Sequence, residues 1–559
     1  MQITSNNRIL ILIPHQDDEL NVAGDLITRF VQSGNRVFIV FTTNGDYRYL
    51  ARTRMQEAVN ALAVMGVPRE DIFFLGYGDT LNGHGHPHIF NATERTVSPA
   101  GHTRTYGTDI FPDYAFSIDG LHHDYTRTAY QCDLKKIICE KRPDCILSVD
   151  YDVHADHRMT SISFEEVMGQ ILSCSQLNYQ PIVYKAFAYS TGFNAECDFY
   201  ALNLLETKKP IEGKVPHYYR AKDLLDSSIY LWERRIRFPL LDENRKHFLF
   251  HNRLFKAFCC HKSQFAGFHA AQVINSDKVF WQRRTDSVSY RAKVAVSSNV
   301  ELAHYLTDFH LYNTDDIDSE VPVFNHYLWY PDSDDNKCEC QFKWPEKQHI
   351  SQIVLYGSLS PNILVHALSI TLNDTRPFTV GPLPAHGRPL IIDLPKTEEV
   401  YSCTIKLLDI DTGGGISECE FYHSSKQKND IIHPFIKIIY NDNFIYKYLV
   451  PDNVAYIQLD TYFFECAGDV IFKIVGDSKG ASLSSAGLLL MKNLSGEIKI
   501  IAYLKDDPSI CDEISIYKIP YPEMLLLKSL QFVEKNILTL ILRLNRKYMY
   551  LRKKYINDI

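Results

Sequence analysis

Two short clusters of histidines and acidic residues could bind a metal ion. Residues 14–19 read PHQDDE, and residues 154–157 read HADH. Imidazole nitrogens and carboxylate oxygens are common zinc ligands, and a catalytic zinc uses three protein ligands and keeps one position open for water. The two clusters together contain enough of these groups for such a site, with a carboxylate and an imidazole left over for proton transfer.

The clusters can form one site only if the fold brings them together. Each follows a short apolar run, Ile9–Ile13 before the first and residues 144–149 before the second. Helical spacing at 20–32 and 52–65, between such strands, predicts a Rossmann-like α/β fold with a mostly parallel sheet and helices on both faces. Ligand sites in these sheets lie beyond the carboxyl ends of the strands. We therefore expect both clusters at one edge of the sheet.

On this basis, His15, Asp18 and His157 would supply the three metal ligands. Asp17 and His154 would then remain for proton transfer. Either cluster alone would be typical of a solvated turn or of acidic residues at a helix N-terminus. Two such clusters, each at the end of a predicted strand, favour the metal site.

The two clusters resemble the paired motifs (P/A)HxDDE and HxDH of the PIG-L/LmbE-like family of zinc-dependent N-acetylglucosaminyl deacetylases. Other segments are similar to the family as well: TTNGD at 42–46, RxxEA at 54–58, LGYGD at 75–79 and HKSQ at 261–264. The resemblance covers residues 6–290, which is about half of the chain. It implies zinc as the cofactor, with the three ligands named above.

The resemblance also implies the roles of the neighbouring residues. Asp17 is similar to the general base that takes a proton from the attacking water. His154 is similar to the residue that stabilises the tetrahedral intermediate or assists the leaving amine, and Asp156 to the residue that orients His154. Arg54 and Asp79 resemble positions that contact the substrate.

Two of these roles have alternatives in the sequence itself. Arg54 could form an ion pair with Glu57 within one helix, and Asp79 could cap a turn. Both readings stay open at this point, because sequence spacing alone does not distinguish them from substrate contacts.

The family's activity implies a hydrolase that removes an N-acetyl group from an N-acetylglucosamine-type sugar in a glycoconjugate or polysaccharide precursor. Asp17 would assist the attack of zinc-activated water on the amide. The competing hypothesis is a non-catalytic glycan-binding protein that retains a metal site. The intact Asp17 and His154 argue against it, because binding alone needs neither. A dinucleotide site is disfavoured, since the first strand leads into PHQDDE instead of a glycine-rich loop.

The sequence changes after the predicted deacetylase domain at 1–290. Short strand-like runs separated by turns predict a β-sandwich at 293–423 and a second β-rich sandwich domain at 430–520. Residues 350–356 and 415–422 make the first of these similar to a discoidin-type, galactose-binding-like domain.

The last segment, 524–559, is predicted to be a basic amphipathic helix. It has no glycine or proline, and its apolar residues recur every three or four positions. Three interpretations are open: contact with an anionic membrane surface, self-association as a coiled coil, or packing on the adjacent sandwich.

Composition limits the partners and the location. The net charge of −8 gives no support for nucleic acid as a partner, and no apolar run approaches the roughly 18 residues of a spanning helix. The apolar run at 9–13 is too short for a signal peptide. The 13 scattered cysteines predict free thiols in a reducing compartment. We therefore expect a cytoplasmic protein, which the terminal helix would hold to the inner membrane face in the first interpretation.

Overall fold

The structure of the protein is a computed structural model. It describes residues 1–80, 89, 92–151, 154–188, 199–200, 204–208, 232–241, 248–311, 327–360 and 362–556. Within these residues, an α/β region with a parallel sheet is followed by antiparallel β-structure and a long helix. This order confirms the predicted fold class at that level of detail. The 12 cysteines in the described part of the chain form no disulfide bond.

Seven described strands form the first sheet. They are β1 (Arg8–Ile13), β2 (Arg36–Thr43), β3 (Ile72–Tyr77), β4 (Cys145–Val149), β5 (Ile182–Ala186), β6 (Ile236–Phe238) and β7 (Lys278–Gln282). Their order is β3-β2-β1-β4-β5-β7-β6. β1 to β5 are parallel, whereas β7 runs antiparallel to β5 and β6. The strand order reverses between β1 and β4, and such a reversal opens a crevice at the carboxyl ends of those strands.

Helices cover both faces of this sheet. They are α1 (Asp18–Val22), α2 (Leu26–Gln32), α3 (Ala51–Met65), α4 (Tyr114–Asp119), α5 (Arg127–Lys141), α6 (Ala155–Leu172), α7 (Arg253–Phe258) and α8 (Ala271–Ile274). Alternate residues of β1 enter different hydrophobic clusters, Ile9 and Ile11 on one face and Leu10 and Leu12 on the other. The sheet therefore has a core on each side, as an apolar parallel strand requires.

One predicted helix differs from the structure. The sequence at 20–32 predicts a single helix, but the chain forms α1 and α2 with a break at Gly24, where φ is +54°. A Cβ on Gly24 would lie 2.4 Å from Cε of Lys278. The buried Lys278 side chain therefore occupies the space that a larger residue would need, and a three-residue gap separates the two helices.

A second, antiparallel sheet follows. Its strands are β8 (Lys293–Val296), β9 (Glu339–Tyr356), β10 (Val365–Leu372), β11 (Phe378–Val380), β12 (Leu390–Ile410) and β13 (Glu418–Tyr422). The order is β11-β10-β12-β9-β13, with β8 also paired to β9. Antiparallel β-structure is thus confirmed here, and the long β9 and β12 pair along most of their length. Its arrangement as a sandwich stays a prediction. The discoidin-type assignment stays a prediction.

A third region contains smaller sheets. Its strands are β14 (Phe435–Tyr440), β15 (Asn443–Phe444), β16 (Lys447–Pro451), β17 (Tyr456–Gln458), β18 (Asp460–Phe464), β19 (Val470–Val475), β20 (Ser482–Leu483), β21 (Leu488–Leu490), β22 (Glu497–Leu504) and β23 (Cys511–Ile519). β16 and β23 are parallel, and the other described pairings are antiparallel. The prediction of a second β-rich region is confirmed.

The last described element is the long helix α9 (Tyr521–Ile556). Met524 in its first turn packs with Leu449 and Ile519 of the third region, while Leu538 belongs to one of the two cores of the first sheet. The helix therefore packs on its own chain and reaches beyond the adjacent β-structure to the α/β region. None of the described helices is long and apolar enough to cross a membrane.

Candidate active site

The turns after β1 and β4 carry the two clusters. β1 ends at Ile13 and α1 begins at Asp18, so that PHQDDE forms the turn and the first helical residues. β4 ends at Val149 and α6 begins at Ala155, which places HADH at the start of α6. Because β1 and β4 are paired neighbours, both turns lie at the carboxyl edge of the sheet, where the strand order reverses.

Three predicted metal ligands converge on one point. His15 Nδ1 and His157 Nε2 lie 3.0 Å and 3.2 Å from the same oxygen, Oδ2 of Asp18, and the two nitrogens are 3.3 Å apart. All three side chains are buried. We call these three atoms the ligand triangle. Burial alone would raise the pKa of Asp18, but the two imidazoles hold that pKa well below its usual value.

The ligand triangle fits a divalent cation. Ligand atoms about 2.0–2.1 Å from a tetrahedral zinc are about 3.3 Å from one another, close to the 3.0–3.3 Å edges of the triangle. The second oxygen of Asp18, Oδ1, is buried and has no hydrogen-bond partner among the described residues. Two imidazole nitrogens and a carboxylate oxygen are also a donor set that zinc accepts. The residues present therefore suit the predicted metal.

Two further carboxylates fix the orientation of the His15 ring. Nε2 of His15 lies 3.0 Å from Oδ1 of Asp79 and 3.1 Å from Oδ2 of Asp156. An Nε2–H that donates to a carboxylate leaves Nδ1 with its lone pair directed into the ligand triangle. Asp156 was expected to orient His154, but it lies 3.8 Å from His154 Nδ1 and is placed closer to His15.

Asp17, the predicted general base, lies beside the triangle in an unusual backbone conformation. Its φ is 123°, a region that costs a non-glycine residue about 1–3 kcal/mol. Its backbone N–H donates to Oε2 of Glu19 at 2.8 Å, and its Oδ1 lies 3.5 Å from Nη2 of Arg54. Burial, together with the carboxylate of Asp18, raises the pKa of Asp17 to about 7. Such a group can take up a proton near neutral pH.

His154 caps the N-terminus of α6. Its Nδ1 accepts a hydrogen bond from the backbone N–H of Asp156 at 3.2 Å, so that in the neutral ring the proton is on Nε2. Burial and the imidazoles of His15 and His157 lower the pKa of His154 well below its usual value. His154 can therefore act as a neutral hydrogen-bond donor through Nε2.

The geometry also allows other ligand sets. Ligand atoms of His15, His154 and His157 lie within 4.8 Å of one another, and so do those of His15, Asp79, His154 and Asp156. The ring of His154 is centred 4.5 Å from that of His15. His154 is thus near enough to be a metal ligand.

The structure brings Arg54 and Asp79 to the site, but their described contacts are with the protein. Arg54 Nη2 donates to the backbone oxygen of Gln16 at 2.8 Å and to Oε1 of Gln264 at 3.0 Å. Asp79 contacts the His15 ring, and both side chains are buried. These contacts give Arg54 and Asp79 a part in holding the site, and their contact with substrate stays a prediction.

A buried pair beside Asp17 has no counterpart among the residues predicted from the motifs. Oε1 of Glu19 lies 2.8 Å from Nε2 of His261, and both residues are fully buried. Glu57, which could have paired with Arg54, instead accepts hydrogen bonds from Ser263 N and Oγ at 2.8 Å and 2.6 Å. The sequence contained a signal for these contacts, because Glu19 is the last residue of PHQDDE and both His261 and Ser263 belong to the HKSQ segment.

Fold and site together define an α/β domain with a buried group of histidines and aspartates that could bind a metal. More particularly, residues 10–168 match the family model described as PIG-L, GlcNAc-PI de-N-acetylase. The matched part begins in β1 and ends in α6, and thus contains both clusters and the ligand triangle. The match covers 159 of the 559 residues, which is less than a third of the chain.

Solved structures also resemble the chain. The N,N'-diacetylchitobiose deacetylase from Pyrococcus horikoshii is 18% identical over 33% of this chain and 62% of its own, with a TM-score of 0.22. A deacetylase in the biosynthesis pathway of teicoplanin is 14% identical over 49% and 97%, with a TM-score of 0.27. CpGH89CBM32-6, produced by Clostridium perfringens, is 16% identical over 23% and 92%, with a TM-score of 0.17.

The chain spans only 62% of the length of the first of these structures. No curated protein matches it. TM-scores this low establish neither a common fold nor a common activity, so the family model and the geometry of the site are the stronger findings.

Proposed function

We propose that this protein is a zinc-dependent hydrolase that removes the N-acetyl group from an N-acetylglucosamine-type sugar in a glycoconjugate or polysaccharide precursor. The observation that carries the proposal is the ligand triangle beside Asp17, inside residues 10–168, which match the PIG-L family model.

His15, Asp18 and His157 would hold the metal ion. When bound, zinc would polarise the amide carbonyl and lower the pKa of water. The Nε2–H of His15 stays on its carboxylate partners, which keeps Nδ1 available. Because all three side chains are buried, the charge of the site is poorly screened and its electrostatic effect on a reacting carbonyl is large.

Asp17 and His154 would move or hold the protons. Asp17 takes a proton from the water that attacks the carbonyl carbon, and returns it to the sugar nitrogen as the C–N bond breaks. His154 donates from Nε2 to the developing oxyanion, since its Nδ1 is already engaged by the Asp156 N–H. The products are acetate and the free amino sugar, and each atom of the water appears in one of them.

The test measures metal and chemistry on the same preparation. We expect the purified protein to contain one zinc per chain, and to release acetate and amine in equal amounts from N-acetylglucosamine conjugates. A chelator should abolish release and added zinc should restore it. Asp17→Asn should keep the zinc and lose activity by a factor of about 10²–10⁴, because an amide cannot accept the proton.

Asp109→Asn, which removes an exposed carboxylate from the same region of the chain, is the matched control and should retain full activity. Zinc binding without amine release from any N-acetyl sugar would contradict the proposal and favour a glycan-binding protein that retains a metal site. Full activity of metal-loaded Asp17→Asn would instead show that another group is the base.

A further inference from the structure

Helix α9 carries an apolar stripe that faces away from the rest of the protein. We call it the outer stripe, and its members are Leu526, Leu530, Val533, Ile537, Leu540 and Leu544. Each is 47–61% exposed. Steps of four and three residues align these side chains along one side of the helix over about 27 Å. A contiguous exposed apolar surface of this extent marks an interaction site.

The opposite side of α9 is fixed to the protein. The buried carboxylate of Glu534 accepts hydrogen bonds from the backbone N–H groups of Leu249 and Phe250, and from the hydroxyl of Tyr200. Leu538, one turn further, is buried in the core of the α/β region. These contacts set the rotation of the helix, so the outer stripe cannot turn inward without breaking them.

Most of the exposed charge of the helix is basic. Between residues 523 and 548 the exposed charged side chains are Glu523 in the first turn and five basic residues: Lys528, Lys535, Arg543, Arg546 and Lys547. The other acidic residue, Glu534, faces inward. Residues 549–559 add Arg552, Lys553 and Lys554 against one acidic residue, Asp558, in a chain whose net charge is −8. The solvent-facing side of α9 is therefore apolar and positive.

We propose that the outer stripe docks α9 on the surface of an anionic membrane, with the stripe among the lipid headgroups and Arg543 and Lys547, the basic residues that flank it, beside the phosphates. Apolar burial and attraction to anionic lipid are the two interactions that hold an amphipathic helix in the plane of a membrane. No described helix is long and apolar enough to span a membrane, which agrees with a helix that lies on the surface.

A second copy of the chain fits the stripe less well. The heptad positions that flank the stripe are Ser529, Asn536 and Arg543 on one side, and Leu527, Glu534 and Ile541 on the other. Coiled coils use opposite charges at these positions to select a partner. Here the only acidic residue is buried against the protein's own backbone, so Arg543 of one copy would find no opposite charge at these positions of another. Charge therefore favours an anionic lipid surface.

The experiment uses the full chain and co-sedimentation with vesicles. One set contains phosphatidylcholine alone, and the other contains about one quarter phosphatidylglycerol. We expect binding to the anionic vesicles, with loss of most binding at about 1 M salt, where the Debye length is about 3 Å. The triple variant Leu530→Gln, Ile537→Gln and Leu544→Gln should bind at least about ten-fold more weakly.

Matched controls separate the stripe from general hydrophobicity and from misfolding. Leu121→Gln, Val300→Gln and Leu408→Gln together remove three equally exposed apolar residues elsewhere, and should bind like the natural chain. Arg543→Gln with Lys547→Gln should weaken binding about five-fold for each residue, on anionic vesicles only. All variants should keep the same unfolding temperature.

Two outcomes would overturn the proposal. The first is equal sedimentation of the natural chain and the outer-stripe variant, whether both bind or neither does. The second is a stripe-dependent change in oligomer size without vesicle binding, which would identify a second copy as the occupant. Because the measurement is vesicle binding, its result does not depend on whether the deacetylase activity is found.

Discussion

The site contains the imidazoles of His15, His154 and His157, whereas a catalytic zinc uses three protein ligands in total, one of which we assign to Asp18. His15 and His157 contact the same carboxylate oxygen of Asp18, at 3.0 Å and 3.2 Å. We therefore expect His157→Ala to lose zinc, because it removes one of three ligands and opens a buried space. His154→Ala should retain about one zinc per chain but lose activity by about 10²–10³, as for the loss of one oxyanion donor. Elemental analysis and acetate release measure the two effects.

His102→Ala is a suitable control, since His102 is an exposed histidine of the α/β region and belongs to none of the proposed ligand sets. It should retain both zinc and activity. Loss of zinc from His154→Ala, with retention in His157→Ala, would replace the ligand triangle by a set that includes His154.

Glu19 is the second residue-scale prediction. Its two oxygens hold the Asp17 N–H and the His261 ring at 2.8 Å each. Glu19→Gln presents an NH₂ group to one of these donors, and leaving a buried donor unsatisfied costs about 1–3 kcal/mol. We expect the unfolding free energy to fall by that amount. We also expect kcat to fall more than KM rises, because the hydrogen bond that holds Asp17 in its positive-φ conformation is lost. Denaturant unfolding and steady-state kinetics measure the two effects.

Glu57→Gln is the matched variant, since Glu57 makes equivalent bonds to Ser263 without touching Asp17. It should lose similar stability and keep its kcat. A similar fall of kcat in both variants would mean that Glu19 supports the fold alone and does not position the base.

Sequence spacing identified the residues that gather at the site, because both clusters end parallel strands and parallel strands end at one edge. It could not show that Asp156 lies nearer to His15 than to His154. Nor could it show that Arg54 donates its hydrogen bonds to Gln16 and Gln264. Those details depend on side-chain directions in three dimensions. Motif spacing does not encode these directions.

At the scale of elements, a buried cation fixes α6 to the sheet. Lys185 on β5 is fully buried, with Nζ 2.8 Å from Oδ1 of Asp150 after β4 and 2.7 Å from Oγ of Ser161 on α6. It also pairs with Glu165 on α6. Lys185→Met would leave two buried carboxylates without their cation. Removing one partner of such a group costs about 3–5 kcal/mol, which we expect in denaturant unfolding.

The loss of unfolding free energy in Lys185→Met should depend on pH. Burial already raises the pKa of Asp150 despite the nearby Lys185, and removal of the cation raises it further. A carboxyl whose pKa is higher in the folded state binds more protons there, so stability falls as the pH rises through that range. The stability deficit of Lys185→Met should therefore shrink as the pH is lowered from neutral. Lys135→Met, which removes a half-buried lysine that also contacts α6 through Gln170, is the control and should show neither effect.

Most helices and strands of the α/β region could be predicted because their apolar periodicity is strong. The stop of α3 at Gly66, where φ is 94°, follows from a residue type that alone adopts that conformation without strain. The break between α1 and α2 could not be predicted. It depends on the side chain of Lys278, which is more than 250 residues away in the sequence and meets Gly24 only after folding.

At the scale of the whole molecule, the core crosses the boundary that composition suggested near residue 290. Large apolar residues from beyond it join one of the two cores of the first sheet: Ile431, Ile432, Phe435, Ile439, Phe444, Phe464 and Leu538. They pack in the same cluster as Ile11 and Phe41 of the parallel strands. Residues 1–290 therefore contain the whole proposed site but only part of the core that supports it.

We therefore expect a fragment of residues 1–290 to fail to fold cooperatively, although it contains every proposed ligand and catalytic residue. Burial of a large apolar side chain stabilises by about 1.5–3 kcal/mol. Seven of them together contribute about 10–21 kcal/mol, which equals or exceeds the 5–15 kcal/mol that is typical of a whole domain. Residues 287–423 are the matched control, because all described members of their own core lie between Val288 and Phe421. That fragment should be soluble and should unfold in one transition.

Co-expression of residues 291–559 with fragment 1–290 should restore a soluble complex, because the second core of the first sheet also contains residues beyond 290, such as Phe309, Leu311 and Tyr356, and this fragment returns the missing residues of both cores. Thermal unfolding followed by near-ultraviolet circular dichroism, with zinc content and acetate release on the same samples, measures the recovery. A fragment 1–290 that unfolds cooperatively and deacetylates on its own would show that the shared core is dispensable. The β-rich regions would then serve the substrate or the membrane and contribute nothing to the stability of the site.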